Sequence, residues 1–507
     1  MSRPDHSRTP VLQRAHRLLP PFLRKRPRID PRRPQSDIQG LVLHGYKIMD
    51  AACFLLLRIE EPSKARRWLR EILPEVTTSS DKSSEQRSAW KTSLNLALTW
   101  SGLKALGLPQ AALDTFPTEF QEGMPARADI LGDSDESAPD KWDFGGSSGP
   151  AQQGELHLLL MLYGTTPKEV SSLVAEHRRR LEEGGLRELG SQQAARMRNA
   201  EGGIVEHFGF RDGLSQPQIQ GFREGKHEAP DHTDAIKPGE FLLGYENEYA
   251  ETPDSPSVPA TLDVKGTLSP RADRPDWKEF GRDGSFVVVR KLQQNVEDFQ
   301  RFLEAHKELA VGDTDERKKQ WLAAKLMGRW PSGEPLRPGE DAPPTHARSE
   351  KHWIDNSFGF NEKDPDGYGC PVASHIRRAN PRDSLPPSAE LSLQVSRRHR
   401  ILRRGITYSD DTGKGMLFIA INANIARQFE FLQQTWLNNG KFGGRYDERD
   451  PLTTHGAGRL TLPSQPVRRC VEGIARFVTM KGGGYFFLPS LRALEFLAHL
   501  EPKQAVS

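Results

Sequence analysis

The sequence predicts an α+β protein made of two similar modules, and three observations carry that expectation. Short apolar runs of strand length alternate with stretches of helical spacing; the first set follows the order β-α-β-β-α-β; and the second half repeats the pattern. That order is the order of a ferredoxin-like unit, in which an antiparallel sheet carries its helices on one face.

In the first module, Cys53 to Ile59 is a strand-length apolar run, and Ala65, Trp68, Leu69 and Leu73 then recur at helical spacing over Ser63 to Leu73. Leu94 to Trp100 and Leu156 to Tyr163 read as the next two strands. Pro167 opens a helix expected to reach Glu183, proline being well suited to a first helical turn. The last strand of the module is expected to enter Phe208–Phe210. In the second module Phe286 to Arg290 is a strand, Val296 to Ala305 a helix, Met416 to Ala420 the start of a strand, and Ile425 to Leu437 a helix. Phe477 to Met480 and Tyr485 to Leu488 are two more apolar runs, and Ser490 caps a closing helix. Gly482-Gly483-Gly484 between those runs is expected to be a tight turn, because no Lys-Ser/Thr follows to make it a phosphate loop.

A chain of 507 residues is long enough for two modules and a buried ligand pocket. The expected organisation is a basic arm over 1–37, an N-terminal module over 38–225, connecting loops over 226–284, a C-terminal module over 285–500 with a long insertion near 306–414, and a tail over 501–507. The formal net charge of +3 is too balanced to make nucleic acid the main partner. The basicity is local: residues 1–34 carry ten Arg or Lys against two Asp, with several prolines, and read as a solvated, disordered arm. That arm lacks the apolar core of an export signal, and no 18-residue apolar run occurs, so the expectation is a cytoplasmic protein without a membrane span. Three scattered cysteines, Cys53, Cys370 and Cys470, suit neither a disulfide framework nor a zinc site.

The segment His207-Phe208-Gly209-Phe210-Arg211-Asp212-Gly213-Leu214-Ser215-Gln216-Pro217 sets one carboxylate between glycines in an apolar run. A buried aspartate must be hydrogen-bonded, protonated or used. Taken alone, Asp212-Gly213 reads more readily as a turn than as a site. Two further segments stand out: Cys370 to Arg382, containing Ser374-His375-Ile376-Arg377-Arg378-Ala379-Asn380-Pro381-Arg382, and His399 to Tyr408, containing Ile401-Leu402-Arg403-Arg404-Gly405.

Together these three segments resemble the dye-decolorising peroxidases, a haem family marked by a Gly-x-x-Asp-Gly stretch, here Gly209 to Gly213. The resemblance continues through Pro238–Glu248, Gln428–Trp436 and Gly483–Pro489, and covers roughly residues 38 to 500. It implies two ferredoxin-like modules with haem b in the C-terminal one, and a peroxidase that oxidises dyes, phenols and lignin-like aromatics through a ferryl-haem intermediate. Hydrogen peroxide and small aromatic donors are the partners it implies. His375 takes the axial-ligand position, Asp212 the distal acid-base position and Arg403 the distal arginine position, with Arg404 its neighbouring rival. Arg378, Met416 and Phe418 are the further candidates for haem contact.

Gly405 departs from one branch of the family, which carries asparagine there. The carboxylate behind the axial histidine is either Asp447 or Asp450, and Tyr408, Trp436 and Tyr446 are candidate electron relays from surface donors. His207 and His455 are weaker candidates for metal or propionate contact. Because a carboxylate ionises in the acid range, dye oxidation is expected to be fastest at acid pH. The rival from another class is a haem carrier, which would need neither Asp212 nor Arg403.

Overall fold

A computed structural model of the chain describes residues 34–80, 90–222, 235–342, 356, 358–453 and 458–501. His455, most of the basic arm and all of the tail beyond residue 501 lie outside the described residues.

The first module runs β1 (Ala51–Ile59), α1 (Pro62–Ile72), β2 (Thr92–Leu98), β3 (Leu158–Gly164), α2 (Pro167–Arg179) and β4 (Leu186–Ala195). β1 and β3 are buried almost throughout, which is why they read as unbroken apolar runs rather than alternating ones. α2 is started by a capping box between Thr166 and Glu169, with Pro167 in the first turn. The second module begins with β5 (Ser285–Gln294) and α3 (Val296–His306). An insertion follows, with α4 (Asp315–Met327), α5 (His375–Ala379) and α6 (Ala389–Arg398). The module then resumes with β6 (Leu402–Arg403), β7 (Ile406–Asp410), β8 (Gly413–Asn422), two π-helical turns over Ala426–Glu430 and Leu432–Leu437, β9 (Val478–Leu488) and α7 (Leu491–Ala498). Ser490 caps α7 by accepting from Ala493 N at 3.2 Å.

Among the described residues the two modules share one nine-stranded antiparallel sheet in the order β6-β8-β5-β9-β2-β3-β1-β4, with β7 also on β8. They join at a seam between β9 and β2, where Phe487 opposes Leu98. The outer strands then meet: Met197 N, just past β4, donates to Thr407 Oγ1 of β7 at 3.2 Å, and Gln192 Nε2 of β4 donates to Asp410 Oδ2 at 2.8 Å. The sheet therefore curls toward a barrel. One of its faces forms a single cluster that includes Phe54, Met161, Val289, Ile419 and Phe486. The other packs under α1, α2 and α7 through Trp68, Leu69, Val170, Leu494 and Leu497.

Two expectations are corrected. The last strand of the first module is Leu186–Ala195, not Phe208–Phe210. β4 is an edge strand with an alternating, half-exposed pattern, so its Arg, Glu, Ser and Gln residues hide it from an apolar-run search. Phe208–Phe210 belongs to a turn, with Gly209 at φ +96°. The glycines 482–484 do not form a turn either, because β9 runs through them without a break. Their missing side chains admit a neighbouring segment: Asp143 N donates to Lys481 O at 2.6 Å and Gly483 N to Phe144 O at 3.0 Å.

Among the described residues no helix is long and apolar enough to cross a membrane.

Candidate functional site

A cavity of about 300 Å³ opens between the sheet and the inserted helices. Asp212, His375, Arg403, Met416 and Phe418 all line it, although they come from a loop, a helix and two strands. Arg378 does not. It is fully buried, donating to the carbonyls of Trp436, Asn439 and Glu448, and burial lowers it to about 10. Where the sequence suggested a haem contact, the structure places Arg378 off the cavity wall, tying α5 to the chain between Trp436 and Glu448. The cations that reach the cavity are Arg211, Arg290, Arg329, Arg382, Arg400 and Arg403.

His375 is the first residue of α5. Its Nδ1 lies 2.8 Å from Asp450 Oδ2. Asp450, with a side chain that is 0% exposed, also accepts from Leu452 N at 3.0 Å and from Thr453 N and Oγ1 at 2.9 Å. Burial opposes its ionisation, but the His375 ring and these donors hold it below the usual carboxylate range. An acceptor at Nδ1 fixes the orientation of the ring and leaves Nε2 as the atom that would bind a metal. Asp447, the other carboxylate suggested by the sequence, has its backbone N bonded to Gly440 O at 3.0 Å, and it is Asp450 that meets the ring.

Asp212 and Arg403 face each other at 4.0 Å, Oδ1 to Nη1. Both are held by the same loop. Asp212 N donates to Ile204 O at 3.0 Å, while Arg403 N donates to Gln216 Oε1 at 3.0 Å and Arg403 Nη2 to Ser215 O at 3.4 Å. Gly209 and Gly213 adopt φ of +96° and +71°, the left-handed region that a side chain resists, which explains the two glycines of the motif. Arg404 turns away, donating to Leu41 O at 2.8 Å and to Val42 O at 2.6 Å.

Apolar side chains complete the walls, among them Phe358, Phe360, Ile376, Ile401 and Phe429. An imidazole of fixed orientation, apolar walls and arginines is the donor set that a flat, iron-bearing, carboxylated macrocycle needs. Sequence reasoning missed Arg329 and Arg382; the second stands at the end of the Asn380-Pro381-Arg382 stretch and could have been considered with it. It also missed Glu206, a buried carboxylate on the cavity wall. His207 bonds Tyr408 O at 2.9 Å and does not line the cavity. Neither do Tyr408, Trp436 and Tyr446: the first two are buried, and Tyr446 is 84% exposed. Among the described residues no group of three or more His, Cys, Asp or Glu could hold a metal ion on its own, and the three cysteines are unpaired.

The chain matches the family described as "DyP dimeric alpha+beta barrel domain" over residues 37–194 and that described as "Dyp-type peroxidase, C-terminal" over 263–460. It is 31% identical to a dye-decolorizing peroxidase of Mycena epipterygia, across 98% of this chain and 94% of that protein. It is 32% identical to the multifunctional dye peroxidase DyP2 of an Amycolatopsis species, across 80% and 82% of the two chains. Among solved structures it resembles the DyP-type peroxidase of an Anabaena species with a TM-score of 0.73 and 23% identity, covering 92% of this chain and 94% of that one.

Proposed function

Since the chain belongs to the dye-decolorising, DyP-type family of haem peroxidases and is a peroxidase, we propose that His375 holds the iron of haem b and that Asp212 and Arg403 carry the cleavage of hydrogen peroxide. The observation that supports this most directly is the meeting of Asp212, Arg403 and His375 around one cavity, with Asp450 bonded to His375.

When bound, the haem supplies the redox chemistry; the protein supplies position, charge and protons. His375 presents Nε2 as the ligand atom, and the anionic Asp450 makes that imidazole a stronger donor. Arg211, Arg329, Arg382 and Arg400 are suited to the propionates. Asp212 takes the proton from one oxygen of the incoming peroxide and returns it to the other, which departs as water. The Arg403 guanidinium, oriented by the Ser215 carbonyl while Gln216 holds its main-chain N, stabilises the negative charge that grows on the departing oxygen. Phenols, dyes and lignin-like aromatics are the proposed electron donors, giving one electron at a time.

The test compares wild type, His375→Ala and Asp212→Asn by haem absorption and peroxide-dependent dye oxidation. His375→Ala loses the haem band of the wild type. Asp212→Asn keeps that band but loses about 10²-fold or more of kcat/KM for peroxide. Unchanged haem binding in the first variant removes the ligand assignment, and full turnover in the second leaves a haem protein whose chemistry does not depend on Asp212.

A further inference from the structure

The turn that carries Asp212 is closed by a carboxylate that the peroxide chemistry above does not use. Glu206 is 7% exposed and lies on the cavity wall. Its Oε2 accepts from Phe208 N and its Oε1 from Phe210 N, both at 2.9 Å. The main chain closes the same turn, with Gly209 N donating to Glu206 O at 2.9 Å and Glu206 N to Phe210 O at 3.0 Å. A third donor comes from the other module: Gln294 Nε2, at the end of β5, also bonds Glu206 Oε2. β5 sends Arg290 and Leu292 into the same cavity.

A buried carboxylate is costly unless donors satisfy its lone pairs. Here two of the three donors are backbone groups of the turn itself, so the turn and the carboxylate require each other. Without Glu206, Phe208 N and Phe210 N would lose their acceptor in a buried place, and the turn would relax to find others. Asp212 is two residues further along and would move with it.

On the reading of Asp212 as the acid-base group, we propose that Glu206 is its positioning residue: a clamp that shapes the Glu206–Asp212 turn and, through Gln294, registers it against the C-terminal half of the site. A glutamine at this position keeps one acceptor oxygen and presents an NH2 group to the remaining backbone donor, so it should hold the turn in part.

The experiment uses the haem-loaded protein and the variants Glu206→Ala, Glu206→Gln, Gln294→Leu and Asp212→Asn, each checked for a cooperative melt. Amide hydrogen exchange is read at Phe208 and Phe210, together with kcat/KM for peroxide and KM for the dye. Glu206→Ala exchanges about tenfold faster or more at both amides and loses up to about 10²-fold in kcat/KM for peroxide, with KM for the dye unchanged. Glu206→Gln recovers part of both, and Gln294→Leu shows a smaller effect in the same direction. If Glu206→Ala does not fold, Glu206→Gln decides: faster exchange at one of the two amides with an intermediate peroxide rate supports the clamp. Wild-type exchange at both amides, or a peroxide kcat/KM within about twofold of wild type, in the folded variant overturns it. Normal turnover by Asp212→Asn would instead remove the acid-base reading, while the exchange rates would still decide whether Glu206 holds the turn.

Discussion

The hydrogen bond from His375 to Asp450 joins residues on two separate segments, and its strength depends on the fully buried carboxylate staying ionised. Burial alone would favour the neutral acid, but the His375 ring and the backbone N–H groups of Thr453 and Leu452 outweigh it and hold Asp450 low. Asp450→Asn keeps the volume and an acceptor oxygen but removes the charge. It should therefore weaken haem affinity by about 10–100-fold, measured as the rate of haem transfer to a competing acceptor, with little change in secondary structure. An unchanged transfer rate would mean that the carboxylate does not tune the ligand. The sequence could nominate Asp447 and Asp450 but not choose between them, since both are near in sequence and only the fold decides which one turns inward. Arg378 shows the same limit. It sits three residues after His375, yet it points into the packing against Trp436 and Glu448, whereas Arg382 reaches the cavity. Residue type and motif membership were legible; the direction of each side chain was not.

Most elements were legible because burial made them so: β1, β3, β5 and β8 are apolar runs, and α2 and α7 announce themselves by their caps. The misses have a common cause, which is that the deciding contact lies outside the local window. β4 pairs on one side only and carries polar residues. In β9, three glycines look like a break until Asp143–Gly145 is seen against them, with Phe144 in a parallel bridge to Gly482. That segment occupies the edge of β9 beyond Phe487, so β2 meets β9 at a single position. The close approach predicts the cost of adding one methyl group. Gly145 has φ +70°, and a Cβ there would come 1.7 Å from Gly483 O, too close to a backbone atom for any rotamer change to relieve. Gly145→Ala should lose on the order of 1–3 kcal/mol or more, read as a lower denaturation midpoint with an unchanged m-value. Gly149→Ala, also at positive φ but with nothing within 4 Å, separates backbone strain from the clash.

At the scale of the whole molecule the repetition of two α+β units could be read from the chain, but their fusion into one curled sheet could not, because it rests on Phe487 opposite Leu98 and on side-chain bonds between β4 and β7. A second tie joins the beginning, middle and end of the described chain. Asp37, 3% exposed, accepts from Arg492 N at 2.8 Å, and Leu491 N donates to Asp37 O at 2.9 Å, so α7 starts on it. Asp37 also pairs with Asp283, just before β5, which in turn accepts from the Tyr245 hydroxyl. Burial, helped by the Asp283 charge, pushes Asp37 up to about 7, the Arg492 contacts opposing it only in part. Asp283 is raised as well, chiefly by burial. A carboxyl that keeps its proton in the folded state beyond the point where the unfolded chain has lost it makes folding proton-consuming. Its contribution to stability is therefore complete below the ordinary carboxylate range and declines as pH rises toward about 7. Asp450 works in the opposite sense, gaining stability as pH rises through the acid range, so the raw pH profile is a sum of both. The difference between wild type and Asp37→Asn isolates the first. An amide there can still donate to Asp283 but carries no titrating proton, so denaturation midpoints of the variant should gain on the wild type steadily from about pH 4 to pH 7. Parallel profiles across that window would show that the pair between Asp37 and Asp283 holds no proton, and that the junction of the modules is indifferent to pH.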